Sequence, residues 1–240
     1  MLMKNKWLYK IGLLKQNTSE RFVNKYLARL IAEDFIPNNY TFFTSPEEIN
    51  HWGSKYVDYF NGKEKEYNDS IFYESTHQRE ISYPHAVFNW YCGWHYIHIN
   101  NYLRGFSAEG ENKRINIITN EIKKFVLEQE IVCVRRVSNT FFEEYLLNNQ
   151  RLKKGVIFSD EAFVSTSLDI FYRKDKNSNY KSLENETLMI LKLKKSTCAI
   201  YLEPVSKREE YELLLKNGIE FVIERTKNIL GNKIIVARCK

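Results

Sequence analysis

The texture of the chain changes once, near Ile131, and that change limits the folds open to it. Before it, apolar residues recur at helical spacing. Residues 18–34 carry Phe22, Val23, Tyr26, Leu27, Leu30 and Ile31 in an amphipathic pattern that Pro37, Asn38 and Asn39 interrupt. Ser45-Pro46-Glu47-Glu48 reads as a helix start, a capping-box Ser and Glu around a Pro at the first helical position, and Ile49, Trp52, Tyr56 and Phe60 follow on one face. The polar stretch 61–80 reads as containing a loop. Further helices are predicted from Ala86 to Leu103, with Gly105 as C-cap, and over Ile115–Leu127. From Ile131 onward the apolar residues come in short β-rich runs, at 131–137, 187–193, 198–202, 212–215, 220–223 and 233–238, separated by turns such as Lys216-Asn217-Gly218. Helices first and strands afterwards predict an α+β fold, not alternating βαβ units.

A chain of 240 residues makes one large domain, or one domain with a small appendage. No run approaches the ~18 apolar residues of a membrane-spanning helix. Lys10 interrupts the apolar start and no small-residue cleavage site follows, so no export signal is read. Cys92, Cys133, Cys198 and Cys239 form no C-x-x-C pair and have no His at zinc-finger spacing, which predicts free thiols and no metal site. The net charge of +6 is scattered, with its densest cluster at Lys192, Lys194 and Lys195, and this argues against a nucleic-acid partner. No Gly-rich phosphate loop is present.

Three polar constellations interrupt the strand patterns. In Cys133-Val134-Arg135-Arg136-Val137, one of two consecutive arginines faces inward or lies at an edge. A buried guanidinium needs an anion, and its fork of donors suits a phosphate; the alternative is an edge strand with both arginines solvated. In Phe163-Val164-Ser165-Thr166-Ser167-Leu168, alternation puts Ser165 and Ser167 on one face, where hydroxyls can orient a carboxylate or merely end the strand. In Glu209-Glu210-Tyr211-Glu212, an extended backbone points Glu210 and Glu212 to the same side. Such paired carboxylates can divide labour between positive charge and a proton, unless they are a solvated acidic turn.

In this order, an Arg on a strand after helices, a Ser-Thr-Ser strand and a Glu-x-Glu entering Leu213-Leu214-Leu215, the constellations resemble the R-S-E class of mono-ADP-ribosyltransferases. The segment from Tyr91 through Tyr96-Ile97-His98-Ile99-Asn100-Asn101-Tyr102-Leu103-Arg104-Gly105 is similar to that family's helix. The lead-in Gly155-Val156-Ile157-Phe158-Ser159-Asp160-Glu161-Ala162-Phe163, together with Ala199-Ile200-Tyr201-Leu202 and Glu210–Leu215, resembles the catalytic domain of iota-type clostridial and bacillus binary toxins. The resemblance covers about residues 45–240 and leaves residues 1–44 as an N-terminal helical extension.

The resemblance implies an ADP-ribosyltransferase-like fold, with N-terminal helices before a mostly antiparallel two-sheet β core that holds an NAD cleft. NAD is the implied co-substrate, and no metal is implied. Arg135, with Arg136 beside it, is implied at the NAD phosphates, and Tyr91, Tyr96 and Asn100 along the cleft or its adenosine half. Ser165 is implied to hold the catalytic Glu212, with Thr166 and Ser167 supporting the strand. Glu210 is implied to prepare an arginine acceptor, since the family's asparagine-modifying branch carries Gln there. Phe171 is the nearest aromatic after the Ser-Thr-Ser strand and matches the residue that stacks on nicotinamide. An actin-like target and a separate delivery subunit are implied partners, and synthesis in a bacterial cytoplasm followed by action in a target cell the implied localisation. An NAD glycohydrolase and an inactive docking module of a toxin complex are the competing readings. In one place the chain departs from its relatives: the turn Val205-Ser206-Lys207-Arg208-Glu209 is basic where they usually carry an aromatic.

Overall fold

The computed structural model describes residues 18–171, 186–206 and 208–240. The opening residues read above for an export signal lie outside that range. Helix α1 (Thr18–Leu30) runs on into a π-helical segment, Ile31–Phe35. Helix α2 (Pro46–Trp52) starts as its sequence dictates, with the Ser45 hydroxyl accepting from the backbone N–H of Glu48. It is followed by α3 (Ser54–Asp69), α4 (Thr76–Glu80) and α5 (Pro84–Trp90). The stretch 61–80, read as containing a loop, is therefore mostly helical. Lys63 and Glu66 pair along α3 at 2.8 Å, and the Ser75 hydroxyl caps α4, so local polar contacts support these turns.

The helix expected over 86–103 comes in three pieces. Between α5 and α6 (Tyr96–Leu103) lies a π-helical segment, Tyr91–His95, broken at Gly93 by a ψ of −142°. Helix α7 (Asn112–Lys124) completes this half.

The strands are β1 (Ile131–Ser138), β2 (Ile157–Asp160), β3 (Val164–Ser167), β4 (Glu186–Leu193), β5 (Ala199–Tyr201), β6 (Glu212–Leu215), β7 (Ile219–Ile229) and β8 (Asn232–Cys239), with a short helix α8 (Glu203–Ser206) between β5 and β6. They form one sheet in the order β2-β7-β8-β4-β1-β3-β6-β5, antiparallel except for the β4–β8 pair. The α+β class is as expected. The two sheets are instead one hydrogen-bonded sheet, because a single pair, Val134 opposite Ser167, carries the ladder from a five-stranded portion into a three-stranded one.

Alternation along β1 explains why both faces of the sheet are covered. Ile131 and Cys133 join one apolar cluster with Tyr56, Phe60, Phe88, Ile99, Ile118 and Ile122 from the helices. Val132 and Val134 join another, sealed by Val23, Leu27, Leu30, Ile31 and Phe35 of the N-terminal helix. At about 1.5–3 kcal/mol for each fully buried aliphatic side chain, these contacts hold that helix on the sheet. Lys192 of β4 projects into the same layer, where its ammonium meets Asp34 at 3.1 Å and Glu224 at 2.8 Å. Gly53, between α2 and α3, lets β5 close on the helices: a Cβ there would come within 2.4 Å of the Tyr201 ring.

Candidate active site

Strands β1, β3 and β6 lie side by side, so the three constellations become neighbours. Val134 stands opposite Ser167, and Ser167 opposite Glu212, in one row across the sheet. Ser165, paired with Leu214, lies on the face of β3–β6 that carries Glu212. The Glu212 side chain is buried, while Ser165 is open to solvent. Burial is the main reason the Glu212 carboxyl is pushed up to about 7; the neighbouring Ser165 hydroxyl favours the ionised form and opposes the shift. Glu210 and Glu203 push it further up, and Arg208 pulls it down.

The approach to Glu212 is not the extended strand that the alternation suggested. Glu209 and Tyr211 have φ of 56° and 51°, left-handed values that cost L-residues roughly 1–2 kcal/mol each. Glu210 therefore sits in a turn ahead of β6, exposed and electrostatically coupled to Glu212. The Ser167 hydroxyl donates to the Glu210 carbonyl at 2.8 Å, and the Thr166 hydroxyl to the Leu213 carbonyl at 2.7 Å. Both hydroxyls thus fasten β3 to the backbone that carries the glutamates. Arg208 donates from Nη2 to the Gly93 carbonyl at 2.9 Å, tying the basic turn to the helix break, while Lys207 lies outside the described residues.

Arg135 is largely buried, and its Nη1 lies 3.1 Å from Oδ2 of Asp160. Burial pulls its pKa below the ordinary value, and Asp160 opposes that. Arg104 forks onto the same carboxylate, Nε to Oδ1 at 2.9 Å and Nη2 to Oδ2 at 2.8 Å, with its guanidinium 4.9 Å from the Phe141 ring centre. Two guanidiniums on one carboxylate keep a net positive charge at the site, the complement of a diphosphate. Tyr91 is buried between the two ends: Glu212 raises its pKa and Arg135 lowers it, burial being the largest influence. Asn100 donates to the Tyr91 hydroxyl at 3.3 Å, and its own Oδ1 is buried with no hydrogen-bond partner among the described residues. That unused acceptor fits a ligand hydroxyl.

Tyr91, Asn100, Arg135, Ser165, Ser167, Glu210 and Glu212 thus converge. Tyr96 stands exposed beyond them, its ring centre 6.4 Å from that of Tyr91. Thr166 is buried behind β3. Two candidates go elsewhere. Alternation puts Arg136 on the face of Val132 and Val134, away from Arg135. Phe171 is buried in the apolar layer under α1. Sequence reasoning did not single out Arg104 and Asp160, although both lie inside the quoted segments; only the fold shows that a helix end and the end of β2 meet there.

A buried carboxylate with a hydroxyl on the same strand face, beside a carboxylate-bridged arginine pair, can stabilise positive charge at one end of a ligand and anchor negative charge at the other. The family model for the ADP-ribosyltransferase exoenzymes matches residues 49–238, and the chain belongs to that family. Among curated proteins none matches significantly. Solved structures show the same fold. The ADP-ribosyltransferase toxin Plx2a of Paenibacillus larvae is 19% identical with a TM-score of 0.57, over 81% of this chain and 96% of that one. The Clostridium limosum C3 exoenzyme is 18% identical with a TM-score of 0.59, over 84% and 97%. The ADP-ribosylating toxin BECa of a C. perfringens binary enterotoxin, solved with NADH, is 17% identical with a TM-score of 0.61, over 84% of this chain and 50% of that one.

Proposed function

We propose that the protein is an NAD-dependent mono-ADP-ribosyltransferase that modifies an arginine of a target protein, as a bacterial toxin or effector. The row of β1, β3 and β6, which sets the Ser165 hydroxyl on the same face as a buried Glu212, carries this reading. Arg135, with Arg104, takes the NAD diphosphate, and Tyr91 and Asn100 line the cleft. The bond from ribose C1′ to nicotinamide breaks, and its electron pair leaves with nicotinamide. Glu212 stabilises the positive charge left on the ribose. A guanidinium is protonated and a poor nucleophile at neutral pH. Glu210 holds it and takes its proton as the nitrogen lone pair forms the new bond to C1′. The products are nicotinamide, an ADP-ribosylated arginine and a proton.

An actin-like target, a separate delivery subunit, and synthesis in a bacterial cytoplasm before release belong to the same proposal. BECa, a part of a binary enterotoxin, supports the delivery subunit. The test is incubation of the protein with labelled NAD and eukaryotic lysate, followed by mapping of the labelled residue. Nicotinamide release with label on arginine is expected. No release, or label on another residue type, would sink the reading.

A further inference from the structure

Glu203 sits at the start of α8 but does not cap it. Pro204 offers no N–H, and the next two donors, Val205 and Ser206, both bond to the Leu202 carbonyl at 3.0 and 2.8 Å. The Glu203 carboxylate reaches across the turn instead. Its Oε1 accepts from the Glu209 N–H at 2.7 Å and its Oε2 from the Tyr211 N–H at 2.9 Å. These two donors belong to the residues with left-handed φ, and they bracket Glu210. The neighbouring carbonyls are held too: Glu210 by the Ser167 hydroxyl, Tyr211 by the Leu168 N–H at 3.0 Å, and Glu212 by the Leu202 N–H at 2.9 Å. Of these partners, Glu203 alone carries a charge and alone holds both strained residues. Charge-assisted bonds of this length are the strong ones.

We propose that Glu203 is a positioning residue, whose carboxylate fixes the backbone on both sides of Glu210 and so sets where that side chain meets the acceptor. The assignment rests on the transferase reading above. Glu212 is already placed by the β3–β6 ladder, so loss of Glu203 disturbs Glu210 more than Glu212. Misplacement of a reacting group by about an ångström can cost a hundredfold.

The experiment compares the full chain with Glu203→Ala and Glu203→Gln. At a pH above the Glu212 midpoint, where that carboxyl is ionised with or without Glu203, it measures acceptor-free nicotinamide release from NAD, ADP-ribose transfer to proteins of a eukaryotic lysate, and the melting temperature. Glu203→Ala is expected to keep nicotinamide release within about threefold while transfer falls by about tenfold or more. Glu203→Gln, isosteric and with one accepting oxygen left, is expected to fall between the two and serves if the Ala variant does not fold. A purely structural role lowers both activities together, so an unchanged ratio of transfer to hydrolysis overturns the assignment, as does unchanged transfer. If the wild type releases no nicotinamide, the reading of the site fails first, and that outcome is distinguishable from the failure of Glu203 alone.

Discussion

Arg104 and Arg135 converge on a single carboxylate, their Nη2 and Nη1 atoms lying 2.8 and 3.1 Å from Oδ2 of Asp160. Asp160 is itself buried and also accepts from the Ala162 N–H at 3.1 Å. The carboxylate thus keeps two like charges together without neutralising both, so that in the proposed function an arriving diphosphate would meet them already gathered. Ordering the two arginines is done on folding instead of on binding.

Arg135→Ala is expected to weaken NAD binding by about 1.5–3 kcal/mol, the loss of a charge-assisted phosphate contact. Titration calorimetry reads this directly. Wild-type affinity in the variant would remove Arg135 from the phosphate site.

Asp160→Asn is expected to act on stability. It leaves two largely buried guanidiniums side by side without the carboxylate they share, a loss of about 3 kcal/mol. Urea unfolding of the unliganded protein measures it. Saturating NAD should restore part of the loss if the diphosphate replaces the missing charge.

Glu212→Gln and Glu210→Gln should separate the two halves of the reaction. The first removes charge where the ribose becomes positive, so hydrolysis and transfer are both expected to fall by about 10²–10³. The second is expected to lose arginine transfer and keep a substantial part of NAD hydrolysis. Equal transfer by Glu210→Gln and the wild type would count against arginine as acceptor.

How far the sequence revealed all this depends on the range of each signal. The helix start at Ser45 and the strand around Val134 are local patterns, and both stand where the residues put them. The row linking Val134, Ser167 and Glu212 is not local: it joins three strands far apart in the chain, and only the resemblance to a known family anticipated it. Alternation assigned Ser165 and Ser167 to one face correctly, yet it failed one strand over. The left-handed Tyr211 takes Glu210 out of the extended chain, and no residue type there announces it, since neither Glu209 nor Tyr211 is a Gly or Asn. The shared carboxylate of Arg104 and Arg135 was equally hidden, because a charge 56 residues from one arginine and 25 from the other gives no periodicity to read.

Lys192→Ala tests how the N-terminal helix is held. It leaves Asp34 buried against the sheet, with Arg225 at 3.9 Å as the cation still beside it among the described residues. Removing one partner of a buried pair costs about 3–5 kcal/mol, and the lower end is expected because Arg225 takes over part of the neutralisation. Thermal unfolding measures the loss. A change below about 0.5 kcal/mol would mean that the apolar seal of Val23, Leu27 and Leu30 suffices without the ion pair.

The buried Glu212 is expected to make both stability and activity depend on pH, in opposite directions. Its pKa is about 7 in the folded protein against an ordinary 4.5. Between those values the folded state binds more protons than the unfolded one, so stability falls as pH rises, on the order of 3 kcal/mol in all. Glu212→Gln cannot ionise. It is therefore expected to match the wild type in stability near pH 4.5 and to exceed it above pH 7.5, as paired melting curves at the two pH values would show. In the proposed function catalysis needs the carboxylate, so kcat/KM for nicotinamide release is expected to rise with pH through a midpoint near 7 in the free enzyme. The groups that set this midpoint besides burial are Ser165, Glu210, Arg208 and Glu203. Arg208→Ala removes the one cation among them and is expected to move the midpoint upward. A profile flat from pH 5 to 9, or a Glu212→Gln variant less stable than the wild type at pH 8, would show that this carboxyl does not carry the charge in the free enzyme.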